Sequence, residues 1–106
     1  MSPLIENIKK LCAEGKVRYT RHMLIRLMQR NISIADIEYA LQDGILIEEY
    51  KGDTPYPSCL VLGYDIAGKC IHVVCGASKS EVHLITAYYP DILKWNDDFT
   101  TRKEHK

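Results

Sequence analysis

The feature that most constrains this chain is a change of hydrophobic period at Gly44. Before it, apolar residues recur every three or four positions; after it, they fall in short runs and alternations. Leu4, Ile5, Ile8, Leu11 and Cys12 make one stripe and predict a helix over 3–14, with Ser2 as its cap before Pro3 and Gly15 as its stop. Thr20 can cap a second helix, Arg21 to Arg30, whose apolar face is Leu24, Leu27 and Met28 with Met23 at its border; Asn31 tolerates the left-handed conformation that ends it. Ser33 caps a third helix, Ile34 to Asp43, with Asp36 at the third helical position and Ile37, Ala40 and Leu41 turned inward. The second and third helices are so close in sequence that they must form a tight corner.

Past Gly44 the sequence predicts strands at Ile45–Lys51, Cys59–Tyr64, Lys69–Cys75 and Glu81–Tyr89, with Pro90 ending the last. Gly52–Pro57, Asp65–Gly68 and Gly76–Ser80 are connections by composition. The last three strands should form an antiparallel meander, with Ile45–Lys51 at or next to an edge. The expected class is α+β: N-terminal helices packed on a C-terminal antiparallel sheet of about four strands. A chain of 106 residues predicts one domain over 1–106, with its core at about 3–95, a short helix near Ile92–Trp95 and a polar tail over 96–106.

Net charge is zero but unevenly spread. Lys16, Arg18, Arg21, Arg26 and Arg30 stand in a stretch without an acid; Asp36, Glu38, Asp43, Glu48, Glu49 and Asp53 follow, opposed only by Lys51. A local basic surface on a neutral protein can bind phosphate without adhering to every polyanion. Cys12, Cys59, Cys70 and Cys75 form no CxxC pair, and in a strand Cys70 and His72 face away from Cys75, so no metal site is expected and the thiols read as free and buried or half-buried. No run of about 20 apolar residues predicts a membrane span, and charges from Glu6 onward interrupt any signal-peptide pattern, so a cytoplasmic domain without membrane contact is expected. Phosphate loops, nucleophile elbows and zinc-protease motifs are absent, and no cofactor is implied.

Three constellations could carry chemistry. His22, Arg26 and Arg30, four apart on one helix, combine two phosphate-binding forks with a side chain that titrates near neutrality. The alternative is a solvated face whose charges meet the acidic third helix and first strand. His72 lies in an apolar strand, either as an acid or base on the sheet surface or as a histidine satisfied in the core. In the last strand, alternation sets Val82, Leu84, Thr86 and Tyr88 on one face and His83, Ile85, Ala87 and Tyr89 on the other; Tyr88 could position a phosphate or stack a base, or simply close the core.

The string Tyr19-Thr20-x-His22-x-x-x-Arg26-x-x-x-Arg30-Asn31-Ile32-Ser33-x-x-Asp36-Ile37-x-x-Ala40-Leu41-x-x-Gly44, followed by Leu62-Gly63, Ile71-His72-Val73-Val74 and Ile85-Thr86-x-Tyr88-x-Pro90, resembles a bacterial domain-of-unknown-function family usually placed with the RelE/ParE-like toxin superfamily. The resemblance covers about residues 17 to 90. It implies helices packed on a curved antiparallel sheet and a type II toxin–antitoxin toxin that cleaves messenger RNA without a metal. It points to His22, Arg26, His72, Thr86 and Tyr88. In the metal-independent mechanism this suggests, His22, Arg26, His72 and Tyr88 are the expected catalytic residues, with Arg21, Arg30 and Thr86 as expected RNA or phosphate contacts. It also implies a cognate antitoxin, whose acidic segment would cover the basic helix. A neutral chain fits RNA held on a ribosome better than unassisted RNA binding. The competing reading is a non-catalytic binding module, such as a gyrase-type toxin.

Overall fold

The computed structural model describes residues 3–103, so the expected Ser2 cap lies outside the described residues. Three helices, α1 (Pro3–Ala13), α2 (Arg21–Gln29) and α3 (Ile34–Gln42), precede most of one mixed sheet. The strands are β1 (Val17–Tyr19), β2 (Ile45–Tyr50), β3 (Ser58–Tyr64), β4 (Cys70–Ala77) and β5 (Val82–Tyr88), in spatial order β1-β5-β4-β3-β2. The four expected strands form the antiparallel meander, with β2 at its edge. The correction is a fifth strand: β1 runs parallel to β5, pairing Val17–Tyr19 with Val82–Leu84. Three residues carrying a single half-buried apolar side chain give no alternation to read; their extended form comes from the neighbouring strand.

Local chemistry sets the helix ends as expected. Thr20 accepts from the Met23 N–H, and Ser33 and Asp36 close a reciprocal capping box. Asn31 has φ 57° and Gly15 φ 75°, the left-handed stops of α2 and α1. Ile5, Ile8 and Leu11 of α1 and Ile37, Ala40 and Leu41 of α3 bury against Cys59, Val61, Ile71, Val73 and Cys75 of the sheet. Gly63 permits the closest helix–sheet approach: a Cβ there would lie 2.8 Å from the Ala40 carbonyl carbon and closer still to its oxygen. Gly44, just past the Asp43 cap of α3, is packed as tightly, since a Cβ would stand 2.9 Å from the Ala40 oxygen.

Two details of α2 depart from the helical wheel. Its buried residues are Met23 and Leu27, and Met28 is 79% exposed. His22 and Arg26 point outward, whereas Arg30, at the helix cap with φ −97° and ψ 0°, turns back to β5. Each four-residue step drifts about 40° around a helix, so three such positions do not keep one line once the last also leaves the helix.

The described part of the tail, up to residue 103, packs on the sheet. Residues 92–94 form turns in place of the expected helix, Trp95 pairs with Arg102, and Trp95 is 3% exposed. The segment folds across the sheet face opposite the helices, where its aromatic and basic side chains find partners.

Candidate functional site

The helices cover one face of the sheet; Leu60, Leu62, His72, Thr86 and Tyr88 lie on the other. A bulge decides which residues join it. Val74 pairs with Thr86 but Cys75 pairs with Leu84, leaving Ile85 as the extra residue. Leu84 and Ala87 consequently both reach the helix-side core, while His83, Thr86 and Tyr88 stand opposite Gly76, Val74 and His72. The expected grouping of Val82 and Leu84 with Thr86 and Tyr88 is therefore wrong, because strict alternation fails at Ile85.

His72 is the centre of this face and is fully buried. Its Nε2 lies 2.8 Å from the Phe99 carbonyl, and its Nδ1 lies 3.3 Å from the Tyr88 hydroxyl. A carbonyl can only accept, so Nε2 carries the proton and, in the neutral ring, Nδ1 accepts from Tyr88. Trp95 packs edge-on at 4.5 Å and Tyr88 at 5.3 Å between ring centroids. Burial lowers the His72 pKa; the Phe99 carbonyl and Glu48 act against that, and Arg102 adds to it. Burial raises the Tyr88 phenol above its ordinary value. At neutral pH both members of the pair are uncharged.

A polar strap holds the tail over His72. Arg102 donates to both oxygens of Glu48, at 2.9 and 3.1 Å, and lies 4.7 Å from the Trp95 ring centroid. The Tyr50 hydroxyl also donates to Glu48. The bonds from Arg102 hold the Glu48 carboxyl below the usual range, while burial, with Glu48 beside it, pushes the Tyr50 phenol up to about 12. Glu48, Arg102 and the tail gave no sequence signal of a site, because their meeting depends on a chain reversal at residues 96–101.

Arg30 adjoins the histidine cluster. One guanidinium nitrogen donates to the Thr86 hydroxyl and to the Ala87 carbonyl, each at 2.9 Å. β1 pairs only as far as Leu84, so this part of β5 has an open edge, and Arg30 satisfies it. Its Nε and other Nη have no partner among the described residues. Thr86 and Tyr88 share a face two residues apart, about 7 Å along the strand.

His22, Arg26 and Arg21 stay outside this hydrogen-bonded group. All three are exposed on α2, and none of their side chains has a hydrogen-bond or ion-pair partner among the described residues. Three of the acids expected to neutralise the basic stretch are otherwise engaged: Asp36 caps α3, Glu48 binds Arg102 and Glu49 meets Lys51. Within the basic stretch, the ion pairs among the described residues are Lys16 with Glu14 and Arg18 with Glu81.

All four cysteines are free, with Cys59 and Cys75 facing each other in the core. Among the described residues no group of three or more His, Cys, Asp or Glu side chains could hold a metal ion, and no helix is long and apolar enough to cross a membrane.

A model of the family described as Domain of unknown function (DUF4258) matches residues 19–89. No curated protein and no solved structure matches the chain. The match spans more than half of the sequence, from the end of β1 to the end of the β5 region, and the chain belongs to that family.

Proposed function

We propose that this DUF4258 domain is a RelE/ParE-like toxin of a toxin–antitoxin pair that cleaves RNA without a metal, using Tyr88 and His72 for proton transfer. The observation that carries the reading is the chain of bonds from the Tyr88 hydroxyl through His72 to the Phe99 carbonyl, beside the half-free guanidinium of Arg30. A neutral imidazole with an unprotonated Nδ1 is a competent base, and burial prepares that state. Supporting it, α2 begins with Arg21 and His22 and has no acid in its first turn. Cations there oppose the helix dipole, and such a breach of local preference marks functional positions more often than accidents.

In the hypothesised reaction the Tyr88 phenol passes its proton to His72 Nδ1 as it takes the proton of an RNA 2′-hydroxyl. The 2′-oxygen attacks the adjacent phosphorus and the bond to the 5′-oxygen breaks. His22, on the outward face of α2, is the candidate acid that protonates that oxygen, leaving a 2′,3′-cyclic phosphate and a 5′-hydroxyl. Arg26 and Arg30 stabilise charge on the phosphoryl oxygens, and Arg21 holds a neighbouring phosphate. Thr86 keeps Arg30 in place. An antitoxin with an acidic segment suits the unpaired cations of α2.

The test is induced expression in a bacterial host with growth and transcript ends followed together. Growth arrest with new transcript ends, both lost in His72→Gln and Tyr88→Phe, is expected. Arrest with intact transcripts would sink the cleavage reading.

A second reading has its own observation: His72 is fully buried beneath Trp95 and Phe99, so substrate reaches it only through Tyr88. A binding module, including a gyrase-type toxin, needs no such reach. It would tolerate His72→Gln and lose activity on charge reversal at Arg26 and Arg30.

A further inference from the structure

His83 is a second histidine on the open face, and nothing in the reaction above uses it. Its Nε2 is buried with no hydrogen-bond partner among the described residues. A buried nitrogen left unpaired is unfavourable, which makes His83 a candidate partner for a ligand. The ring stacks on Tyr56, with centroids 4.7 Å apart and planes at 17°.

Tyr56 belongs to the loop between β2 and β3. That loop closes over β4 at Gly76, where a Cβ would lie 2.9 Å from the Pro57 carbonyl oxygen. Between loop and β5 is a cavity of about 230 Å³ walled by Asp53, Tyr56, Ser58, His83 and Ile85. His83 and Ile85 also wall an adjoining cleft of about 430 Å³ that opens to Arg18 and Thr20. The Ser58 hydroxyl donates to one Asp53 oxygen and so fixes the carboxylate at the cavity wall.

We infer that this cavity is a subsite for one unpaired nucleobase, and guanine in particular. It rests on the RNA reading above and adds a specificity pocket to it. The wall combines flat aromatic surface with an acceptor-only carboxylate and the His83 imidazole. Unstacked bases are held by such stacking and by hydrogen bonds to their edges. A carboxylate repels a phosphate and selects a ligand with N–H donors; guanine presents adjacent ring and exocyclic donors. His83, Thr86 and Tyr88 stand in line opposite Gly76, Val74 and His72, so a base in the cavity belongs to a nucleotide neighbouring the one at Tyr88. Arg30, bonded to Thr86 and Ala87, stands between the two positions along β5.

The test uses the full chain and 2′-O-methyl oligoribonucleotides, which cannot undergo cleavage through the 2′-hydroxyl. Binding is followed by fluorescence anisotropy and by imidazole NMR signals of His83 and His72. The expected result is a guanine-containing oligomer bound more tightly than its adenine, uracil or abasic counterparts, with a shift at His83. Tyr56→Leu and His83→Gln each weaken it about tenfold, the size of one lost base stack. Asp53→Asn abolishes the guanine preference. Tyr56 lies in a surface loop, so its variant keeps the test decisive if His83→Gln fails to fold. Binding that shifts only His72 and ignores these substitutions overturns the subsite and leaves the RNA reading standing. No binding by the wild-type chain overturns both.

Discussion

Replacing Trp95 with alanine should release the tail and return His72 to water. Trp95 is 3% exposed, packs edge-on against His72 at 4.5 Å and carries Arg102 over its ring at 4.7 Å. Burying a tryptophan in a closed core contributes about 3–5 kcal/mol relative to alanine. Here the loss is capped, because the tail can detach as a unit and leave the β-meander and helices intact. The aromatic pair supplies about 1 kcal/mol of the difference. An exposed cation–π contact adds about 0.5 kcal/mol, and the rest is apolar area returned to water. The expected loss is about 2–3 kcal/mol, toward the low end of a core substitution. For a domain of this size that lowers Tm by roughly 10 °C. The second readout is specific to the site. Burial is the main depressor of the His72 pKa, so its titration moves upward, toward about 6.5, even though the Phe99 carbonyl is lost as an acceptor. Thermal denaturation and NMR titration of the imidazole measure the two effects. A stability loss below about 0.5 kcal/mol, far under the expected range, with an unmoved His72 titration, would refute the reasoning that the tail buries this histidine.

Acidification should destabilise the wild type through His72. Its folded pKa lies below the unfolded value, so the unfolded chain binds more protons; stability present above about pH 6.5 is lost as pH falls toward the folded pKa, at no more than about 1.4 kcal/mol per pH unit. His72→Gln should flatten that part of the stability–pH curve measured by urea denaturation, and an unchanged slope would count against a depressed pKa. Gly63→Ala forces a Cβ into the Ala40 backbone and should cost about 2–3 kcal/mol, since α3 must lift from β3; equal Tm values for variant and wild type would contradict that approach. Arg30→Ala removes two hydrogen bonds at the free edge of β5 and should cost about 1–2 kcal/mol by denaturant titration, discounted because Arg30 is half-exposed. Thr86→Ala should cost less, because the Ala87 carbonyl still receives Arg30.

Local chemistry was the legible part of this fold. Thr20, Ser33 with Asp36, and Asn31 mark helix ends by hydrogen bonds within a few residues, and they sit where their side chains dictate. The period change at Gly44 separated helices from meander for the same reason. Features set by distant partners stayed hidden. β1 is extended because β5 lies beside it, and the bulge at Ile85 depends on how β4 and β5 pair. Reading β5 as a strict alternation therefore put Leu84 and Thr86 on one face. The tail looked polar and unattached because Trp95, Phe99 and Arg102 acquire partners only across the sheet. Of the candidate site residues, His72, Tyr88, Thr86 and Arg30 form one neighbourhood of hydrogen bonds and ring contacts. His22, Arg26 and Arg21 lie on the solvent side of α2, away from its buried Met23 and Leu27, whereas Arg30 at the helix cap turns back to β5.

The most direct test of the central claim is RNA cleavage by the purified chain in the presence of a chelator, alone and with ribosomes carrying a defined transcript. The account predicts products ending in 2′,3′-cyclic phosphate and 5′-hydroxyl, with cleavage reduced at least a hundredfold in Tyr88→Phe and His72→Gln, the scale of a lost proton-transfer group. Full cleavage by both variants, or no cleavage by wild type under either condition, would contradict it.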